Sequence, residues 1–357
     1  MLLGAYKLTK HFLETIQIPA LDEVVGQQVA SHLDTLTKPQ GSLGRLEEFV
    51  IELGKMTGQS FPEVKRPGVI VFAADHGITA EGVSAFPKEV TVQMVHNFLT
   101  GGAGMNVFSR MIDAEFAIVD IGIDADMDAE GLTVRKVRYG TGNFHKEDAK
   151  TREEALQALQ VGFDEGEKMI AKGVKCLIVG EVGIGNTTPS SAIAAVLSGK
   201  DVLELVGPGT GLVSEGVKNK QKIIAEAIQN RKPNPADALD ILMKVGGLEI
   251  AGMAGAMLAA ASHRVPILVD GFIASVSALI ANGLVKGAVD YMFVGHKSAE
   301  PGHKAALALL GKEPIVDLGM RLGEGTGAAV AFPILHAATL PLKEMATFAS
   351  AGVSEKE

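Results

Sequence analysis

From about residue 67 onward the chain alternates short, continuous apolar runs with stretches of helical period. The runs at 69–73, 116–121, 177–179, 267–269 and 292–294 predict strands, with 132–137 as an extra candidate. They are apolar throughout rather than alternating, the pattern of strands buried on both faces, so a parallel sheet covered by helices is expected. The first sixty residues differ, because Leu43, Leu46, Phe49, Val50, Leu53 and Met56 recur at three- and four-residue spacing and mark one buried helix face. A break at Lys38-Pro-Gln-Gly41 precedes that helix. Residues 326–346 return to helix, interrupted or kinked at Pro333. A large α/β region over 61–325 is expected; whether the helical stretches at 1–60 and 326–357 pack together as one small domain is not something periodicity alone shows.

Several runs end in polar or glycine-rich turns: Asp75-His76-Gly77, Asp120-Ile-Gly122, Gly180-Glu181, Asp270-Gly271 and Gly295-His296. In open α/β sheets ligands bind beyond the carboxyl ends of the strands, so these turns are nominated as the site.

Composition narrows the partners. With 47% hydrophobic and 21% charged residues over 357 positions, the chain is expected to be globular. A formal charge of −9 with no block of Lys and Arg gives no footprint for nucleic acid. An anionic small substrate stays open, since a cleft can be locally basic. The single cysteine, Cys176, cannot form an internal disulfide and reads as a buried strand residue in a reducing compartment. The N-terminal segment lacks the order of a signal peptide, and the protein is read as cytoplasmic. Residues 266–285 are apolar over a length that could span a bilayer, but Asp270-Gly271 in their interior favours a soluble strand–helix unit, and no membrane partner is expected.

Candidate chemistry begins with Glu324, held between Gly323 and Gly325 in Arg321-Leu-Gly-Glu-Gly-Thr-Gly327. Glycines can aim such a carboxylate into a cleft, though an ordinary helix-start Glu would look the same. The turn Gly180-Glu-Val-Gly-Ile-Gly-Asn-Thr-Thr188 follows a strand and opens a helix at about Pro189; a tight turn needing glycine only for sterics would look similar, but Asn186, Thr187 and Thr188 add donors that favour a phosphate site. Gly207-Pro-Gly-Thr-Gly211 is a second, weaker candidate, followed by Lys218, Lys220 and Lys222, of which Lys220 could reach a phosphate or simply face solvent. Neither cluster is a Walker A loop or a dinucleotide fingerprint, which argues against an NTPase and a nicotinamide-dependent oxidoreductase. No metal site is expected, because the nine histidines are scattered. His76 reads as a hydrogen-bonded turn residue; His296 and His303 could line a cleft, though an exposed helix entry is the favoured reading.

Taken together, Thr37-Lys-Pro-Gln-Gly-Ser-Leu-Gly-Arg45, Ala74-Asp-His-Gly77, Pro87-Lys-Glu-Val-Thr91, Gly101-Gly-Ala-Gly104, the 180–188 turn, Val269-Asp-Gly-Phe272 and the Glu324 segment resemble the nicotinate-nucleotide–dimethylbenzimidazole phosphoribosyltransferase family over most of the chain. The resemblance implies a Rossmann-like sheet with a small helical domain from both termini, a homodimer, and no cofactor. It also implies the reaction, in which a benzimidazole nitrogen displaces nicotinate from C1′ of nicotinate mononucleotide. On this resemblance Glu324 is the catalytic base and Glu181 the second important glutamate. Phosphate contacts fall on Gly183, Gly185, Asn186, Thr187, Thr188, Gly209, Thr210, Gly211 and Lys220. The base pocket falls on Ser84, Phe86 and Met94.

Overall fold

The computed structural model describes residues 12–209 and 211–354. Among these, seven parallel strands form one sheet: β1 (Pro67–Ala74), β2 (Glu115–Gly122), β3 (Leu132–Val134), β4 (Cys176–Val182), β5 (Ile267–Val269), β6 (Met292–His296) and β7 (Pro314–Val316). Their order across the sheet is β3-β2-β1-β4-β5-β6-β7. The chain therefore winds outward from β1 in one direction, returns to β4 beside β1, and winds outward again. This is a Rossmann-like α/β sheet, and the crevice of such a sheet opens where the winding reverses, between β1 and β4.

Among the described residues, twelve helices of eight or more residues pack around it: α1 (Glu23–Thr35), α2 (Arg45–Thr57), α3 (Val90–Leu99), α4 (Gly104–Met111), α5 (Arg152–Ala171), α6 (Thr187–Ser198), α7 (Ser214–Arg231), α8 (Ala238–Val245), α9 (Leu248–Ser262), α10 (Phe272–Leu284), α11 (Pro301–Leu310) and α12 (Thr326–Glu344). Every residue of β1, β4 and β6 is buried, which accounts for their unbroken apolar reading. Each large apolar side chain so placed contributes about 1.5–3 kcal/mol by leaving water. Cys176 is buried in β4 as expected, and burial pushes its thiol up to about 12, so it is inert.

Three sequence expectations are corrected. The strand expected at 177–179 runs on through Val182, because β4 stays in register with β1, Val71 facing Gly180 and Phe72 facing Glu181. Glu181 is therefore a strand residue and not part of a turn. The run 132–137 keeps strand pairing only to Val134, after which the Arg135 N–H donates to the Asp120 carbonyl. The edge strand β7 was not expected, its three residues being half-buried and too short to register as an apolar run. Helix α12 continues through both Pro333 and Pro341. It packs on α1, α2 and α4 as well as on β6. The 266–285 segment resolves into β5 and α10, and among the described residues no helix is long and apolar enough to cross a membrane.

Helices α5 and α9 meet at backbone distance. A Cβ built on Gly162 would overlap the carbonyl of Gly252, and one on Gly255 would overlap that of Leu159. Replacing Gly162 by Ala forces the two helices apart, and overpacking of this kind costs about 1–3 kcal/mol. Urea denaturation of Gly162→Ala should show a lower midpoint with unchanged slope, and a midpoint equal to that of the parent would contradict this packing.

Candidate active site

The C-terminal ends of β4, β5 and β6 open into a cavity of about 400 Å³. Its floor is the end of β4 with Glu181, and its walls include Asp270 after β5, His296 from β6, Gly323 and Glu324 before α12, and Phe86, Val90 and Met94 from α3 and the loop before it.

Glu324 enters the cavity on an unusual backbone. Its φ is +63°, between +86° at Gly323 and +93° at Gly325. For a residue with a Cβ this left-handed conformation costs roughly 1–2 kcal/mol. The flanking glycines adopt it freely, which is the local reason for the Gly-Glu-Gly order. The turn is also pressed onto the sheet, since a Cβ at Gly180 would overlap the Glu324 carbonyl. Only glycine fits there.

The Glu324 carboxylate is buried, and its Oε2 accepts the Met105 N–H at 3.0 Å, at the N-terminus of α4. Burial raises its carboxyl above the usual range; the Met105 N–H opposes this, and the charge of Asp270 adds to it. Glu181 lies alongside. Its Oε1 accepts the backbone N–H of Glu324 at 3.2 Å, and its Oε2 accepts from the Asn186 side chain. Burial holds the Glu181 carboxyl well above the usual range, with the Glu324 N–H opposing and Glu249 and Asp270 adding. Two carboxyl groups thus border one water-poor cleft, each with its affinity for a proton raised by burial, Glu181 the more strongly.

A second cluster borders the same cavity. The N-terminal end of α6 brings Asn186 and Thr187 to the wall, where the Thr187 Oγ1 accepts from Lys220 Nζ at 2.6 Å. Lys220 is buried in α7, whereas Lys218 and Lys222 do not share its burial. Burial lowers the Lys220 ammonium to about 8, with Glu300 opposing. Arg321 Nη1 donates to the Gly209 carbonyl at 3.2 Å. Two cations and a helix N-terminus beside one cavity form an anion-receptive surface. Glu300 also lines it, and burial raises its carboxyl, with Lys220 and Arg321 opposing.

Of the residues expected from sequence, Glu181, Gly183, Asn186, Thr187, Gly209, Glu324, Phe86 and Met94 line this one cavity. Lys220 reaches it through Thr187. Gly185 lies in the turn behind, and Thr188 is fully buried within the first turn of α6. Gly211 is exposed and Thr210 lies outside the described residues. Ser84 does not line the cavity; its Oγ accepts the Phe86 N–H at 3.2 Å and shapes the loop that carries Phe86.

The histidine expectations are corrected. His296 and His303 are buried, not part of an exposed helix entry. His303 Nδ1 accepts the Ser298 N–H at 2.8 Å, so its Nε2 carries the proton toward Ser275 Oγ at 3.1 Å. Burial, with His296 nearby, lowers it to about 4 and keeps the ring neutral. His76 Nε2 lies 3.1 Å from the fully buried Glu249, a long-range pairing that a turn reading does not anticipate. The cleft-lining alternative holds for His296, which lines the cavity, while sequence reasoning gave no individual role to Asp270, Ser298, Glu300 or Arg321; the strand-end position of Asp270 was the signal that pointed to it. Among the described residues no group of three or more His, Cys, Asp or Glu is placed to hold a metal ion.

A family model described as "Phosphoribosyltransferase" matches residues 18–353. The nicotinate-nucleotide–dimethylbenzimidazole phosphoribosyltransferase of Halalkalibacterium halodurans is 50% identical over 337 residues, 94% of each chain. That of Chloroflexus aggregans is 49% identical over 341 residues, covering 95% of this chain and 97% of the relative. The crystal structure of the Thermus thermophilus enzyme of the same name superposes with a TM-score of 0.89 at 42% identity, over 94% of this chain and 100% of that one. Half of all positions shared over nearly the full length, on a common fold, leave one assignment: the chain belongs to the nicotinate-nucleotide–dimethylbenzimidazole phosphoribosyltransferase family and is an enzyme of phosphoribosyl transfer.

Proposed function

We propose that this enzyme transfers the 5-phosphoribosyl group of nicotinate mononucleotide to 5,6-dimethylbenzimidazole or a related base, giving α-ribazole 5′-phosphate and nicotinate. The observation that carries the reading is a single cavity bordered by a buried glutamate, an apolar wall and an anion-receptive cluster. The names of the relatives supply the substrates.

In this reading the phosphate binds against α6, Thr187 and Lys220, and the acceptor base stacks on Phe86, Val90 and Met94. Glu324 is the general base. One azole nitrogen attacks C1′ as the bond to nicotinate breaks, and the electron pair of that bond neutralises the pyridinium ring. The proton on the other azole nitrogen grows acidic as the new bond forms, and the Glu324 carboxylate accepts it. A raised carboxyl is a better base at working pH than an ordinary glutamate. Attack opposite the departing ring inverts β to α, and the protein's main task is to hold the two reactants in line. Glu181 supports the base by holding its backbone N–H. We also read α1, α2 and α12 as the small helical domain beside the α/β unit.

Glu324→Gln keeps the shape and removes the basic oxygen, so kcat should fall by about 10²–10⁴-fold while calorimetric binding of nicotinate mononucleotide is retained. Turnover near that of the parent would remove Glu324 as the base. Lys220→Met removes a charged phosphate contact worth about 1.5–3 kcal/mol, so KM for the nucleotide should rise roughly 10- to 100-fold with a smaller change in kcat. In the parent enzyme kcat/KM should decline as pH rises through about 8, because Lys220 loses its charge there. A profile flat across that range would show that the phosphate does not depend on this ammonium.

A further inference from the structure

Helix α12 begins on Gly325, which has no side chain to cap it, and no side chain of its own segment does so. Its first N–H groups are buried beneath the cavity, where an unsatisfied donor costs about 1–3 kcal/mol. The partners come from another strand. Asp270, the residue after β5, accepts the Gly325 N–H on Oδ2 at 3.2 Å and the Ala328 N–H on Oδ1 at 3.0 Å. His296 Nε2 stands 3.4 Å from the same Oδ1 and braces the carboxylate from β6. Asp270 and His296 are both buried cavity residues.

We propose that Asp270 is the positioning residue for Glu324, its carboxylate serving as a long-range helix cap that holds the left-handed turn and so fixes where the catalytic carboxylate points. From the other side Glu181 accepts the Glu324 N–H at 3.2 Å, so the strained residue is gripped by a carboxylate before and a carboxylate after. The strain at φ +63° persists because these contacts over-determine it. The kinetic part of this inference rests on the transferase reading above; the structural part does not.

Asp270 also acts on Glu324 through its charge. The groups facing the Glu324 carboxyl are the Gly104 and Met105 N–H groups at the start of α4, which favour its anion, and Asp270 from β5, which disfavours it. Glu181 from β4 touches its backbone, His296 from β6 stands behind Asp270, and Arg321 on the same loop is turned to Gly209. Removing the Asp270 charge therefore lowers the Glu324 carboxyl. The acid limb of kcat/KM, which falls as Glu324 takes up its proton, must then move to lower pH.

The experiment compares Asp270→Asn with the parent enzyme in two readouts. The first is the pH profile of nicotinate release from nicotinate mononucleotide and 5,6-dimethylbenzimidazole. We expect kcat to drop by roughly 10- to 100-fold, the cost of a reacting group displaced by about an ångström, with the nucleotide KM within about twofold and the acid limb shifted down. An unmoved limb, or a rise in KM with kcat kept, overturns the proposal. The second is amide hydrogen exchange in the parent protein, which needs no variant to fold. Gly325 and Ala328 should exchange slowly and at matching rates, and exchange as fast as that of an exposed loop overturns the cap. If the parent releases no nicotinate, the transferase reading fails while the exchange measurement still decides the cap.

Discussion

The close approach of Gly180 to the Glu324 backbone is the constraint on which the site depends. A central strand of a parallel sheet and the turn before a helix meet with no side chain between them, because any Cβ at Gly180 would overlap the Glu324 carbonyl. That contact brings the next residue of the strand, Glu181, within 3.2 Å of the Glu324 N–H. It also forces the turn through three successive positive φ values. Burial is unfavourable for the charge of each carboxyl group, the charge of Asp270 adds to both, and backbone N–H groups offset part of the cost. In the proposed reaction, poor solvation is what would make Glu324 useful as a base.

The fold supplies the place for this contact. Reversal of winding between β1 and β4 leaves a crevice at their carboxyl ends. The cavity lies to the β4 side of that reversal, where the ends of β4, β5 and β6 deliver groups of different character: a glutamate from β4, an aspartate just after β5 and a histidine from β6, facing apolar residues from the loop before α3 and from α3 itself. Lys220 is brought in from α7, far along the chain, by its hydrogen bond to Thr187. The anion-receptive cluster and the buried carboxylates thereby face the same space without sharing a charge-balanced pair.

Much of the sheet was legible because strands buried on both faces are apolar along most of their length, as 69–73 and 292–294 are. β7 was not, since a half-buried edge strand of three residues carries no such pattern. Glu324 could be singled out because glycines on both sides mark a backbone that ordinary residues avoid. Glu181 was found but misplaced, because a charged residue in a buried strand looks locally like the start of a turn; only its pairing across from Phe72 shows otherwise. Asp270 and His296 were nominated as strand-end positions, but what they bond to was not legible. Their roles lie in hydrogen bonds to a segment that follows much later in the chain, and nothing in local spacing encodes such partners.

The central claim is that this cavity joins an azole nitrogen to C1′ with departure of nicotinate from the opposite face. Its most direct test is NMR analysis of the product formed from nicotinate mononucleotide and 5,6-dimethylbenzimidazole. The account predicts one equivalent of free nicotinate and a ribosyl phosphate whose C1′ has the α configuration. A β product, or no nicotinate released with any azole, would contradict it.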